Sequence, residues 1–200
     1  MIGNLKNNEY ILHFSVLITI LFVLCAAPME INSSTKHWII VNFGNPINSG
    51  EWRVVNDNVM GGVSHSRVNI NPEGYMLFNG NVSLDYGGGF ASVRSSYENW
   101  KIGKFDGFII KVWGDGKTYQ FRCRMGNIFD GVAYRHYFQT NNENWQEIRL
   151  PFSKFVPTYR GRILSDTAPL DPQAIRNLGL MISDKQYGNF NLKIAWIGVY

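Results

Sequence analysis

Arg122 and Arg124 stand two residues apart in Tyr119-Gln-Phe-Arg-Cys-Arg-Met125, a spacing that puts both guanidinium groups on one face of a β-strand. Arg94 takes an equivalent place with Ser92 if its neighbours Ala91 and Val93 point inward. Arginines lined along one sheet face are planar, bidentate donors suited to a carboxylate, a phosphate or a sugar hydroxyl. The competing reading is a solvated face whose charges pair with Asp85 or Glu147. Asp57, in the Asn56-Asp57-Asn58 loop before Gly61-Gly62, would either receive one of these arginines or cap a turn. Trp145 and Trp113 fall on the outward register of their strands, where an indole stacks on a sugar or a partner side chain. For Trp113, core filling or edge cover is the preferred role. The candidate ligand- or partner-binding set is therefore Asp57, Arg94, Arg122, Arg124 and Trp145.

Other chemistry lacks its parts. Gly62-Val63-Ser64-His65 has no downstream glycine to complete a nucleophile elbow, and no strand–turn–helix surrounds it. The four histidines, at positions 13, 37, 65 and 136, have no metal-ligand spacing. Gly114 and Gly116 lack the following helix of a dinucleotide site. Gly87-Gly88-Gly89 would either cradle an anion through its backbone N–H groups or permit a sharp bend. No acidic pair lies close enough in sequence to suggest glycoside cleavage. No enzymatic activity, cofactor or metal is expected. Lys+Arg 19 against Asp+Glu 15 gives +4, scattered without a basic stripe or arm, which argues against a nucleic-acid partner.

The elements that must hold these residues are strands. Among 200 residues are 20 Gly, 13 Phe, 10 Tyr and 6 Trp, with only 17% charged, a composition of turns and strands rather than a helical bundle. Short apolar runs broken by Gly, Asn and Asp cover Trp38 to Phe43, Val63 to Ile70, Tyr75 to Leu84, Phe90 to Ser95 and Phe108 to Trp113. They continue over Tyr119 to Met125, Tyr134 to Gln139, Trp145 to Phe152, Leu178 to Ser183 and Asn191 to Val199. The spacing predicts a single all-β sandwich. Gly114-Asp115-Gly116-Lys117 reads as a hairpin turn pairing Trp113 with Thr118. That register sets Val112 opposite Tyr119, Ile110 opposite Phe121 and Phe108 opposite Cys123, with every apolar side chain on one face. Cys123 is then a small core hydrophobe. One short helix is expected near residues 171–177, with Asp171 as N-cap and Pro172 at N1.

From Tyr10 to Ala27 the chain is mostly apolar, preceded by Lys6 and followed by Pro28. Residues 1–27 are read as a signal peptide or an N-terminal membrane anchor, residues 28–37 as a linker and 38–200 as the domain. The domain is accordingly expected to be exported, periplasmic or secreted, or tethered to a membrane by residues 10–27 alone.

A further set of strings is more distinctive. Trp52-Arg-Val-Val-Asn-Asp-Asn-Val-Met-Gly-Gly-Val-Ser64 resembles the opening motif of the NADH:ubiquinone oxidoreductase complex I intermediate-associated protein 30 family. The resemblance continues through Phe78-Asn-Gly-Asn-Val-Ser-Leu84, Gly87-Gly-Gly-Phe-Ala-Ser-Val-Arg94 and Trp113-Gly-Asp-Gly-Lys-Thr-Tyr-Gln-Phe121. It ends on Trp145-Gln-Glu-Ile-Arg-Leu-Pro-Phe152 and Leu180-Met-Ile-Ser-Asp-Lys-Gln-Tyr-Gly-Asn-Phe190. The resemblance implies a galactose-binding-like β-sandwich of jelly-roll type, and a non-enzymatic assembly chaperone whose protein partners are respiratory complex I subunits. The other reading is an exported module for a carbohydrate or small ligand, which predicts a cleft lined by arginines and aromatics.

Overall fold

The computed structural model describes residues 37–200; the readings for 1–27, and for the linker before residue 37, lie outside the described residues. Thirteen strands, numbered in chain order, divide between two antiparallel sheets. The first sheet holds β1 (Trp38–Asn42), β3 (His65–Asn71), β4 (Tyr75–Val82), β6 (Gly107–Asp115), β9 (Asn142–Pro151) and β13 (Gly188–Val199). Its order is β3-β4-β13-β6-β9, with β1 also paired to β13. The second sheet holds β2 (Trp52–Val54), β5 (Ala91–Ser95), β7 (Thr118–Met125), β8 (Ala133–Gln139), β10 (Val156–Tyr159), β11 (Arg162–Ile163) and β12 (Ile175–Ile182). Its order is β11-β10-β8-β7-β12-β5-β2. This is the expected jelly-roll sandwich.

Strict alternation builds the core. Phe108, Ile110 and Val112 of β6 and Phe190, Leu192 and Ile194 of β13 turn inward from the first sheet and are buried. Tyr119, Phe121 and Cys123 of β7 and Leu178, Leu180 and Ile182 of β12 meet them from the second. Each large apolar side chain so buried contributes about 1.5–3 kcal/mol. The Phe108 and Phe121 rings touch across the layers at 4.7 Å between centroids.

That contact corrects the expected hairpin. β6 pairs with β13 and β9, whereas β7 pairs with β12 and β8, so the two strands lie in different sheets. Asp115, Gly116 and Lys117 carry the chain from one sheet to the other, with Gly116 at φ +82 and Asp115 Oδ1 accepting from the Lys117 amide at 3.1 Å. The face assignment holds, because the same residues that would have shared a hairpin face oppose one another across the core. Alternation fixes which side is buried but not whether the partner lies beside or opposite.

All ten expected runs overlap strands. The additional strands, β2, β10 and β11, are short and stand at or next to the ends of the second sheet. The helix signal produces a single 3-10 turn, Pro172–Ala174, capped by Asp171 accepting from the Gln173 amide at 2.9 Å. Ile175 already begins β12, because its side chain is claimed by the core.

Candidate functional site: an arginine row on the second sheet

The polar positions of β7 point away from the core, yet Gln120, Arg122 and Arg124 are as buried as core residues. Register explains what surrounds them. Arg53 of β2 is opposite Arg94 of β5, and Arg94 is opposite Gly179 of β12. Gly179 is in turn opposite Arg122 of β7, and Arg122 is opposite Arg135 of β8. Directly opposed residues share a face. One line across five strands therefore reads Arg53, Arg94, Gly179, Arg122, Arg135. Arg124 belongs to the next line, opposite Asn177.

The partners of these groups are neutral. Arg122 donates from Nη1 to Gln120 Oε1 at 2.8 Å and to Met181 Sδ at 3.3 Å, and from Nη2 to Thr158 Oγ1 at 3.3 Å. Arg124 Nη1 donates to Asn177 Oδ1 at 3.2 Å. Arg94 Nη1 donates to the Phe129 carbonyl at 3.0 Å. The Phe129 ring receives two cations, with the Arg53 guanidinium 4.0 Å and that of Arg94 4.8 Å from its centroid. The segment between β7 and β8 thus folds over this end of the row. A salt bridge joins Arg160 to Asp130 at 3.3 Å, and it is exposed. The pairing with Asp85 or Glu147 that the competing reading requires does not occur: Asp85 accepts from Ser83, and Glu147 is on the other sheet.

Uncompensated burial has its electrostatic consequence. Desolvation, then the neighbouring Arg94 and Arg135, pull Arg122 down to about 10. Desolvation, then Arg94 and Arg122, pull Arg124 down to about 9. Desolvation also lowers Arg94, with Asp130 opposing. Arg122 and Arg124 stay charged at neutral pH.

Asp57 stands apart from the arginines. It is fully buried, and Oδ1 accepts from the Ser64 amide at 3.0 Å. Oδ2 accepts from Ser64 Oγ at 2.5 Å, from the Gly89 amide at 2.7 Å and from the Phe90 amide at 3.2 Å. Burial pushes this carboxyl upward, but the hydrogen bonds together outweigh it and leave it below its ordinary value. Gly62 lets the loop close on Asp57: a Cβ there would lie 2.4 Å from the carboxylate carbon. The Gly87-Gly88-Gly89 loop, with Gly89 at φ +134, does cradle an anion, and the anion is Asp57. Asp57 is a pin between two loops rather than a ligand contact.

Trp145 is on the first sheet, opposite Trp113 and 43% exposed. It makes an edge contact with Tyr75 at 6.2 Å, while Lys193 Nζ lies 4.3 Å over Trp113 and 5.0 Å over Tyr75. The structure therefore brings Arg94, Arg122 and Arg124 together and places Trp145 on the other sheet. Sequence reasoning missed Arg53, Arg135 and Gly179, whose membership depends on strand order across the sheet. A groove of about 680 Å³ between β2 and β3, lined by Trp52, Val68, Ile70 and Tyr97, meets the row at its Arg53 end. Among the described residues no group of three His, Cys, Asp or Glu could hold a metal ion.

Residues 41–194 match the family model described as Complex I intermediate-associated protein 30. The chain belongs to that family. A mouse protein named "Complex I intermediate-associated protein 30, mitochondrial" is 33% identical over 101 residues, 48% of this chain and 31% of the mouse protein. The fruit-fly protein of the same name is 24% identical over 183 residues, 80% of this chain and 62% of its own length. The chain thus spans about a third to three fifths of these relatives. The name of the family is that of an associated protein and not of an enzymatic activity. These relatives overturn the expectation of export, since their names place them in mitochondria rather than outside the cell.

Among solved structures, the family 11 carbohydrate-binding module of a Clostridium thermocellum cellulosomal cellulase superposes with a TM-score of 0.62. It is 15% identical, over 82% of this chain and 94% of the module. An agarase superposes at 0.54 and 11% identity over 82% of this chain and 24% of the enzyme. At these identities the likeness is one of fold alone.

Proposed function

We propose that this chain is a non-catalytic assembly factor of the chaperone type, which holds respiratory complex I subunits through the arginine row of its second sheet. The observation that carries the reading is the single line Arg53, Arg94, Arg122 and Arg135, buried or half-buried toward its middle and without an internal carboxylate. A fold that keeps such a line at a cost in desolvation has a use for it, and acidic groups of a protein partner complete its hydrogen bonds. Membership in a family named for association with complex I supports that class of partner.

The test is affinity capture from solubilised respiratory membranes by the full chain and by its Arg122→Gln/Arg124→Gln variant. Complex I subunits are enriched by the wild type, with enrichment falling about tenfold in the variant and declining with added salt. Capture without any complex I subunit defeats the reading.

A second reading, a carbohydrate- or small-ligand-binding module, draws on one feature. Tyr137 is 40% exposed on this same face, opposite Gln120 and with the Arg135 guanidinium 4.8 Å from its ring. Arginine-dependent glycan binding, together with failure to capture complex I subunits, favours this reading over the first.

A further inference from the structure

Two atoms in the arginine row are without a hydrogen-bond partner in surroundings where that is costly. Arg122 Nε and Arg124 Nε are buried and unpartnered, on side chains only 8% and 4% exposed. Between Arg94 and Arg122 the row has no side chain, because the position belongs to Gly179. Two strand spacings, about 10 Å, separate the backbones of these two arginines. The line on one side is neutral, with Met181 and Gln120, and the line on the other sets Asn177 opposite Arg124. The acids nearest the face are already engaged, Asp130 by Arg160 and Asp184 by Ser183 and Gln120.

We infer that this part of the face is a socket for a tetrahedral, doubly charged oxyanion, the phosphoryl group of a phosphate monoester, held by Arg122 and Arg124 with Arg94 at its side. The inference rests on the arginine row being the binding surface and names the chemistry that it takes. The free edge of a guanidinium, Nε–H with one Nη–H, grips two oxygens side by side. Two such edges offer four donors. A carboxylate has two oxygens and one charge, which leaves half of them unmet, whereas a phosphoryl dianion has three oxygens and charge for two arginines. Entry displaces the segment between β7 and β8, which is held over the row by the Phe129 carbonyl on Arg94 and the Phe129 ring on Arg53 and Arg94. The phosphoryl group comes either from a free small molecule or from a phosphorylated side chain of the protein partner.

The experiment titrates the full chain with inorganic phosphate, with a phosphoserine peptide, with its unphosphorylated counterpart and with acetate at matched ionic strength. The readouts are the arginine Nε–Hε NMR signals and the melting temperature. Phosphate moves the Arg122 and Arg124 signals, raises the melting temperature and binds about tenfold or more tighter than acetate. Arg122→Lys and Arg124→Lys keep the charge, lose the fork and weaken phosphate by about tenfold. Tighter binding of the phosphopeptide than of free phosphate assigns the source to a partner's side chain, and equal binding assigns it to a small molecule. Phosphate that binds no better than acetate, or a wild type whose melting temperature phosphate does not raise, overturns the inference.

Failure here is separable from failure of the assembly reading. Arginine-dependent capture of complex I subunits that phosphate does not compete leaves that reading standing and removes the socket. Phosphate binding with no complex I capture does the reverse.

Discussion

Arg124 carries a positive charge into a site where it donates to Asn177 and is opposed by Arg94 and Arg122, with Asp130 acting in the other direction. Such a residue destabilises the fold that holds it, and replacing buried charge by an apolar side chain of similar volume is often stabilising. Arg124→Met is expected to raise stability by about 1–2 kcal/mol, measured by urea unfolding, while abolishing ligand binding. The sign with pH follows from the lowered folded-state value. A cation held below its ordinary range is charged at a cost in the folded state, in full below about pH 9, and that cost fades as pH rises above it. The advantage of the methionine variant is therefore largest at neutral pH and shrinks in alkali. Asp57 has the opposite character. Its hydrogen bonds stabilise the ionised form, so Asp57→Asn puts a donor against the Gly89 and Phe90 amides and costs about 2–4 kcal/mol. The wild-type advantage is present above the ordinary carboxylate value of 3.8 and is lost as pH falls through the lower folded value. Equal urea midpoints for Asp57→Asn and wild type at pH 7 would show that the pin is dispensable.

At the scale of the element, the buried faces were readable and the pairing was not. Phe108, Ile110 and Val112 alternate as clearly as Tyr119, Phe121 and Cys123, and all six are core. A hairpin and a sheet-to-sheet crossing place the same side chains in contact, so only the hydrogen-bond ladder separates them. Cross-strand Hα–Hα NOEs from β7 are expected to β12 and β8, with none to β6; NOEs between Ile110 and Phe121 backbones would restore the hairpin. The same limit governs the site. Arg122, Arg124 and Arg94 were recognisable from period two within their own strands, but Arg53 and Arg135 join them only through the order β8-β7-β12-β5-β2. Between the two roles open to Asp57, receiver of an arginine or cap of a turn, sequence spacing cannot decide, because its donors Ser64 and Gly89 come from separate loops.

For the whole molecule, the two outer faces of the sandwich offer different chemistry. The second sheet presents arginines with Tyr137 and Phe129 at the margin, and the first presents Trp145, Trp113 and Tyr75 with Lys193 already stacked among them. Cation–π contact satisfies the aromatic face internally, whereas the arginine face has donors to spare. Salt is expected to weaken partner capture steadily while leaving the unfolding midpoint nearly unchanged, because the row is completed by charge and the core by apolar burial. The central claim, that the arginine face is the one used, is tested most directly by placing a photo-crosslinking residue at Phe129 in one variant and at Trp145 in another. Both positions are about equally exposed, so access does not bias the comparison. Crosslinks to complex I subunits from position 129 and not from 145 are the result expected; crosslinks from 145 alone would contradict it.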